Sequence, residues 1–368
     1  MLIADIITTI ETWAPTWAAW EKDNVGLQVG DPQRPVTRVL VALDVTEAVI
    51  NEAIAKKVEL IVSHHPLLFR PPANISTQNP IGKLILTLAE HHIAVYSSHT
   101  NLDFTKGGVS FSLAQELGLM NIRFLSPLRD TLAKIVVFVP EGHVERVREA
   151  TANAGAGVIG EYDECSFAVP GKGSFRGSEL SKPFIGKAGQ VEFTDEVRLE
   201  MLAPRARVTA IINAMKEVHP YEEVAYDVHA LLNPNPNFGM GAVGELSKPQ
   251  SLPQFLKQLK RKLNLKAVRY SGTSSKKIQR VAVCGGAGSD LLQDAVRSGA
   301  EVFVTADVRY HTFHSASDNI VLADAGHYET EQVVLRPLAE CIQTAARAAG
   351  ASLSVSITKQ VTNPVNIV

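Results

Sequence analysis

The feature that most constrains this chain is an internal repeat that runs without a gap. When Arg38 is set against Arg280, Val39 meets Val281, Val41 meets Val283, Glu52 meets Asp294, Ala53 meets Ala295, Glu59 meets Glu301 and Val62 meets Val304. Residues 38–44 (RVLVALD) read as a buried strand, 47–57 as a helix and 59–63 (ELIVS) as the next strand, since strand-length apolar runs alternate with helical periodicity. A strand–helix–strand unit requires a parallel sheet with a right-handed crossover. Its recurrence predicts an α/β fold in which two pseudo-symmetric halves form one core.

That core is expected to be discontinuous. Between the halves, 134–140 (KIVVFVP) reads as a strand and 141–154 as a helix, followed by strand-like stretches at 158–169 and 191–202, a helix at 204–217 and a strand at 223–231. The order β-α-β-β-α-β is the ferredoxin-like split unit, an α+β arrangement. Asn233-Pro234-Asn235-Pro236-Asn237 closes it, because two prolines deny continuation of a helix. The predicted division is 1–129, a first half of the core; 130–238, an inserted ferredoxin-like domain; and 239–368, the second half.

Composition narrows the function classes. Three cysteines, Cys165, Cys284 and Cys341, form no Cys-x-x-Cys pair. This argues against a disulfide framework or a thiolate zinc site and predicts a reducing, cytoplasmic setting. No apolar run reaches the roughly 18 residues of a membrane span. A net charge of −2 gives no global basic field for nucleic acid.

Ligand sites in α/β sheets lie beyond the carboxyl ends of strands. Four such ends carry metal-capable side chains: Ser63-His64-His65-Pro66, the 97–103 segment (SSHTNLD), Thr305-Ala306-Asp307, and the 323–331 segment (ADAGHYETE). Adjacent His64 and His65 can diverge toward two ions, or one can ligate while the other supports it. His327 and Glu331 stand four apart, so both leave one face of a helix. Asp103 adds a hard oxygen. Three imidazoles and two carboxylates exceed the quota of one catalytic zinc and suit two ions, whose choice among Zn, Mn, Fe, Co and Ni stays open. His99, Asp307 and Asp324 are candidate supporting partners or proton carriers for an activated water; capping or turn hydrogen bonds are the alternative for each.

Other motifs read more plainly. The 284–289 turn (CGGAGS) lacks Walker and dinucleotide spacings. It reads as a tight turn between strand and helix, with phosphate binding by 285–288 left open. Trp13, Trp17 and Trp20 have the spacing of a packed face, and His219 reads as structural or as a subunit contact. His91 and His92 follow a helix and receive no ligand role.

The segments SHHPLLF (63–69), SSHTNLD (97–103) and DAGHYETE (324–331) resemble the dinuclear-metal family of GTP cyclohydrolase 1 type 2 homologues, the NGG-interacting-factor-three-like family. WEKDNVGLQVG (20–30), DVRYHTFHSASD (307–318) and TNPV (362–365) share the resemblance, and HPYEEVAYDV (219–228) resembles a CutA/PII-like insert. The resemblance implies metal ligands at His64, His65, Asp103, His327 and Glu331, with Glu331 bridging two divalent ions per subunit. It further implies a toroidal homohexamer and a hydrolase of GTP-cyclohydrolase type, acting on a nucleotide or similar small molecule. The alternative is a metal-binding regulatory or interaction protein without turnover, the insert serving as gate or docking module.

Overall fold

All four residues of the strand Leu60–Ser63 are buried, which places the double histidine at the end of a central strand. The computed structural model describes residues 1–367 except 161, 274–276, 317 and 318. Residue 161 of the strand expected at 158–169, and the last two positions of the 307–318 motif, therefore lie outside the described residues. The chain forms two compact units, Met1–Ser126 with Phe238–Val368, and Pro127–Asn237.

The first unit holds two sheets. One contains β1 (Gly26–Val29), β2 (Arg38–Ala42), β3 (Leu60–Ser63), β4 (Ala94–Ser97) and, from far along the chain, β15 (Ser354–Ile357), in the order β1-β4-β3-β2-β15. β15, β2, β3 and β4 run parallel, and β1 pairs antiparallel with β4. The other contains β5 (Leu119–Pro127), β10 (Gly239–Gln250), β11 (Arg269–Ser271), β12 (Ile278–Val283), β13 (Val302–Thr305) and β14 (Val321–Asp324), in the order β11-β14-β13-β12-β10-β5. Here β12, β13 and β14 are parallel, and β11 pairs antiparallel with β14. Local chemistry recurs as well. Glu59 accepts from the Arg38 amide at 2.7 Å, and Glu301 accepts from the Arg280 amide at the same 2.7 Å.

Helices shield the parallel strands. Thr46 caps the helix Glu47–Ala55 through the Val49 amide, and Ile50 and Ala53 pack beneath it on Leu40 and Ile61. On the other face, Leu338, Ile342 and Ala346 of the helix Leu335–Ala348 pack with Val39, Val41 and Val62. Leu102 and Val109 belong to the same core, so the short helix Thr100–Asp103 is anchored where β4 ends.

The second unit runs β6 (Leu132–Pro140), helix Val144–Asn153, β7 (Ser166–Arg176), β8 (Val191–Pro204), helix Val208–Val218 and β9 (Tyr226–Leu231), with sheet order β7-β8-β6-β9. Its strands are antiparallel, and Ile135, Val137, Leu199 and Met201 bury against Val147, Ile211 and Met215. The structure corrects the expected start of the third element: β7 begins at Ser166, because Ile159 and Tyr162 pair through two backbone bonds and the Cys165 amide donates to the Gly157 carbonyl at 2.8 Å. β9 begins at Tyr226, because the preceding His219-Pro220-Tyr221 turn is tied down by His219 Nε2 donating to the Phe138 carbonyl at 3.1 Å.

The tryptophan expectation also needs correction. The helix Ile3–Trp13 stops ahead of Pro15, so the three rings do not share one helical face. Trp13 donates to the Lys106 carbonyl and Trp17 packs on Phe238, but Trp20 is 59% exposed. Among the described residues no helix is long and apolar enough to cross a membrane.

Candidate metal centre

The ends of β3, β4 and β14 bring the five expected ligands within reach of one another. His64 and His65 follow β3, Asp103 closes the helix after β4, and His327 and Glu331 occupy the helix His327–Glu331 after β14. Glu331 is buried. Its Oε2 lies 2.9 Å from His65 Nε2, 3.1 Å from His327 Nε2 and 3.9 Å from His64 Nε2. His64 Nε2 is 3.7 Å from Asp103 Oδ1, and neither buried atom has a hydrogen-bond partner. Ligands about 2.1 Å from a tetrahedral ion stand about 3.4 Å apart, and Glu331 Oε2 also lacks a hydrogen-bond partner, so the cluster as a whole fits coordination. Two overlapping groups could hold an ion, His64–His65–His99 and His65–His327–Glu331; they take in His99, outside the expected five, and leave out Asp103.

Each imidazole is held from behind. Nδ1 of His64 donates to the Ser98 carbonyl at 2.8 Å, that of His65 to Asp44 at 2.7 Å, that of His99 to Asp23 at 2.9 Å and that of His327 to Asp307 at 2.7 Å. Such bonds fix the tautomer and direct Nε2 at the centre. Asp44 and Asp23 had not been singled out from the sequence. Asp44 lies just beyond β2, where the strand-end rule would have found it; Asp23 sits in a loop with no such signal. Asp44 is itself held by Thr362, whose hydroxyl donates to its second oxygen at 2.5 Å.

Asp324 has a different place from the other supporting candidates. It bonds Arg269 and accepts from the amides of Val308 at 3.1 Å and Gly326 at 3.2 Å. It therefore positions the residues beside Asp307 and His327 and is not a partner of any ligand. Asp307 is held at φ 52°, a left-handed conformation that Asp tolerates better than most residues.

The glycine-rich turn serves the centre by its thinness. Gly286 has φ +60°, and a Cβ there would lie 2.1 Å from Glu331 Oε1. Two of its amides are already engaged: Gly286 donates to Thr330 at 3.0 Å and Gly288 to Thr305 at 2.9 Å. A cavity of about 620 Å³ lies nearby, lined by Leu43, Tyr328, Glu329, Arg336 and Thr362 among others. None of the five ligand candidates lines it.

Electrostatics follow from this packing. Burial lowers His64 to about 4. His65 overcomes burial through its bond to Asp44 and the Glu331 carboxylate beside it, and is raised to about 10. The Glu331 contact, opposed by burial and aided by Asp307, raises His327 to about 9. Burial and the neighbouring Glu331 charge hold Asp103 well above the carboxylate range. Glu331 itself, despite burial, is held below that range by His327 and His65. Without metal, His65 and His327 contribute stability that is complete below their unfolded value of about 6.5 and is lost as pH rises through about 9 and 10. His64, depressed when folded, costs stability as pH falls from about 6.5 toward about 4. Denaturation of metal-free protein should therefore show greatest stability near neutrality, with losses toward both pH 4 and pH 10. A flat profile from pH 7 to 10 would contradict the pairing of His65 and His327 with Glu331.

Fold and site together define an α/β protein with a histidine–carboxylate cluster able to hold metal. Its sequence relatives are specific: the chain belongs to the Duf34/NIF3 (NGG1p interacting factor 3) family, whose model matches residues 1–364. A Bacillus subtilis protein named GTP cyclohydrolase 1 type 2 homolog is 44% identical over 325 residues, 88% of this chain and 87% of its own. The Mycobacterium tuberculosis protein of that name is 36% identical over 99% of this chain and 97% of its own. The crystal structure of a Bacillus cereus protein related to NIF3 is similar at a TM-score of 0.85 and 39% identity, over 99% of this chain and 98% of that one.

Proposed function

We propose that this protein holds two divalent ions, of Zn, Mn, Fe, Co or Ni, and hydrolyses a nucleotide or related small molecule. One observation carries the reading: His64 Nε2 and Asp103 Oδ1 are buried without partners beside a carboxylate faced by three imidazoles. Uncompensated burial of such atoms costs free energy that an ion would offset. His64, His65, Asp103, His327 and Glu331 would hold the ions, with Glu331 shared between them. Bound there, paired ions would supply Lewis-acid polarisation and an acidified water. The chain's own part is to orient and to exchange protons. Asp44, Asp307 and the Ser98 carbonyl keep three ring nitrogens aimed inward, and Asp23 leaves His99 Nε2 free to hold or deliver a proton. The relatives' name, GTP cyclohydrolase 1 type 2 homolog, makes GTP the first substrate to try.

The repeated Arg–Glu clamps and the two sets of parallel central strands support reading the core as two related halves. The β-α-β-β-α-β order of the second unit supports a ferredoxin-like insert of CutA/PII type. A homohexamer is part of the same proposal and is read by light scattering. Elemental analysis with anomalous diffraction of metal-replete protein should give two ions per chain beside the five residues, and a panel of nucleotides and phosphoesters should reveal turnover. One ion or none sinks the paired site; two ions with no turnover across the panel sinks the hydrolase. Exposed Phe167 and Phe193 on β7 and β8 favour a second reading for that outcome, a regulatory protein whose insert docks a partner.

A further inference from the structure

Phe69 is 55% exposed at the rim of the centre. Its ring lies 6.2 Å from His99 at an interplanar angle of 84°, and the His99 ring is 5.4 Å from His64 and 5.6 Å from His65. An exposed apolar residue ordinarily needs no explanation, but the backbone next to this one is clamped from both sides. The Leu68 amide donates to Gln28 Oε1 at 3.2 Å, and the Leu68 carbonyl accepts from Asn24 Nδ2 at 2.5 Å. Asn24 follows Asp23, the residue that orients His99. The loop that aims an imidazole at the centre thus also fixes the segment presenting Phe69.

A preset flat apolar face beside polar ligands suits one kind of molecule. A planar heteroaromatic ring gains from stacking on the face, whichever base it is, while its polar edge turns to the ligands. We infer that Phe69 is a specificity-determining residue that stacks on the heteroaromatic ring of the substrate. The inference deepens the hydrolase reading and rests on it for the identity of the site, but its test is binding and not turnover.

The probes are GTP, guanosine and ribose 5-phosphate, measured by equilibrium dialysis on the metal-loaded full chain. The unaltered protein should bind GTP and guanosine and should hold ribose 5-phosphate far more weakly. Phe69→Ala should weaken GTP and guanosine about 10- to 100-fold, Phe69→Trp should restore binding, and Phe69→Leu, apolar but not planar, should restore it only in part. Metal content and oligomeric mass should stay unchanged in all three variants. The inference is overturned if the unaltered protein binds no ring-bearing probe, or if it binds ribose 5-phosphate as tightly as GTP. It is equally overturned if Phe69→Ala binds GTP normally, loses its metal, or changes mass, the last two marking a structural or subunit-contact role. Ring-dependent binding without hydrolysis would leave this inference standing while the hydrolase reading fell.

Discussion

Glu331→Gln should strip the centre of metal, weakening binding by more than about 100-fold, since even outer partners of a metal ligand are worth about 10- to 100-fold. The amide keeps the shape of the side chain but not the charge, and Oε2 is the atom facing His65, His327 and His64 at 2.9, 3.1 and 3.9 Å. The metal-free protein should tolerate the change better than a buried ion pair usually allows. Breaking such a pair costs about 3–5 kcal/mol when the remaining charge is trapped, but His65 and His327 can release their protons. The alkaline loss of stability should shrink accordingly, because Glu331 helps to raise both histidines. Glu329→Gln, two residues away and bonded to Asn363, is the control and should keep its metal. Calorimetric titration with elemental analysis reads both variants, and full metal occupancy in Glu331→Gln would remove Glu331 from the ligand set.

Gly286→Ala should be nearly as damaging to metal binding and worse for stability. A left-handed conformation costs a residue with a Cβ about 1–2 kcal/mol, and overpacking adds about 1–3 kcal/mol. The new carbon would sit 2.1 Å from Glu331 Oε1 and 3.3 Å from His327 Cε1, so the carboxylate must move. Gly350→Ala separates the two effects, because Gly350 has φ +64° and open space where its Cβ would go. Urea denaturation should show only the backbone cost at Gly350, and the larger loss together with metal release at Gly286. Equal losses at the two positions would mean that the 284–289 turn yields freely and does not shape the site.

Strand ends were the legible part of this site, because a chain leaving a parallel strand has few directions to take. His64, His65, Asp103, His327 and Glu331 could each be picked out in that way, and the strand–helix–strand pattern likewise pointed to the parallel pairs β2–β3 and β12–β13. The same rule counted Asp324 too generously, since a strand-end carboxylate can equally brace its own loop. Asp23 stood in the 20–30 motif, but its role stayed hidden because its pairing with His99 spans 76 positions and depends on how the 20–24 loop returns to β4. Trp20 misled for a simpler reason: spacing implies a shared face only while a helix continues, and Pro15 interrupts it.

The place of β15 bears on how the protein is made. β2 is synthesised well before its neighbour: its flank is covered by Ser354–Ile357, more than 300 positions later. Until those residues emerge, a nascent chain carries an open edge on an apolar parallel sheet, the kind of surface that recruits other chains. Asp44 likewise waits for Thr362. The centre therefore matures only once Thr362 has been made, and until then the unfinished sheet must be kept apart from its neighbours.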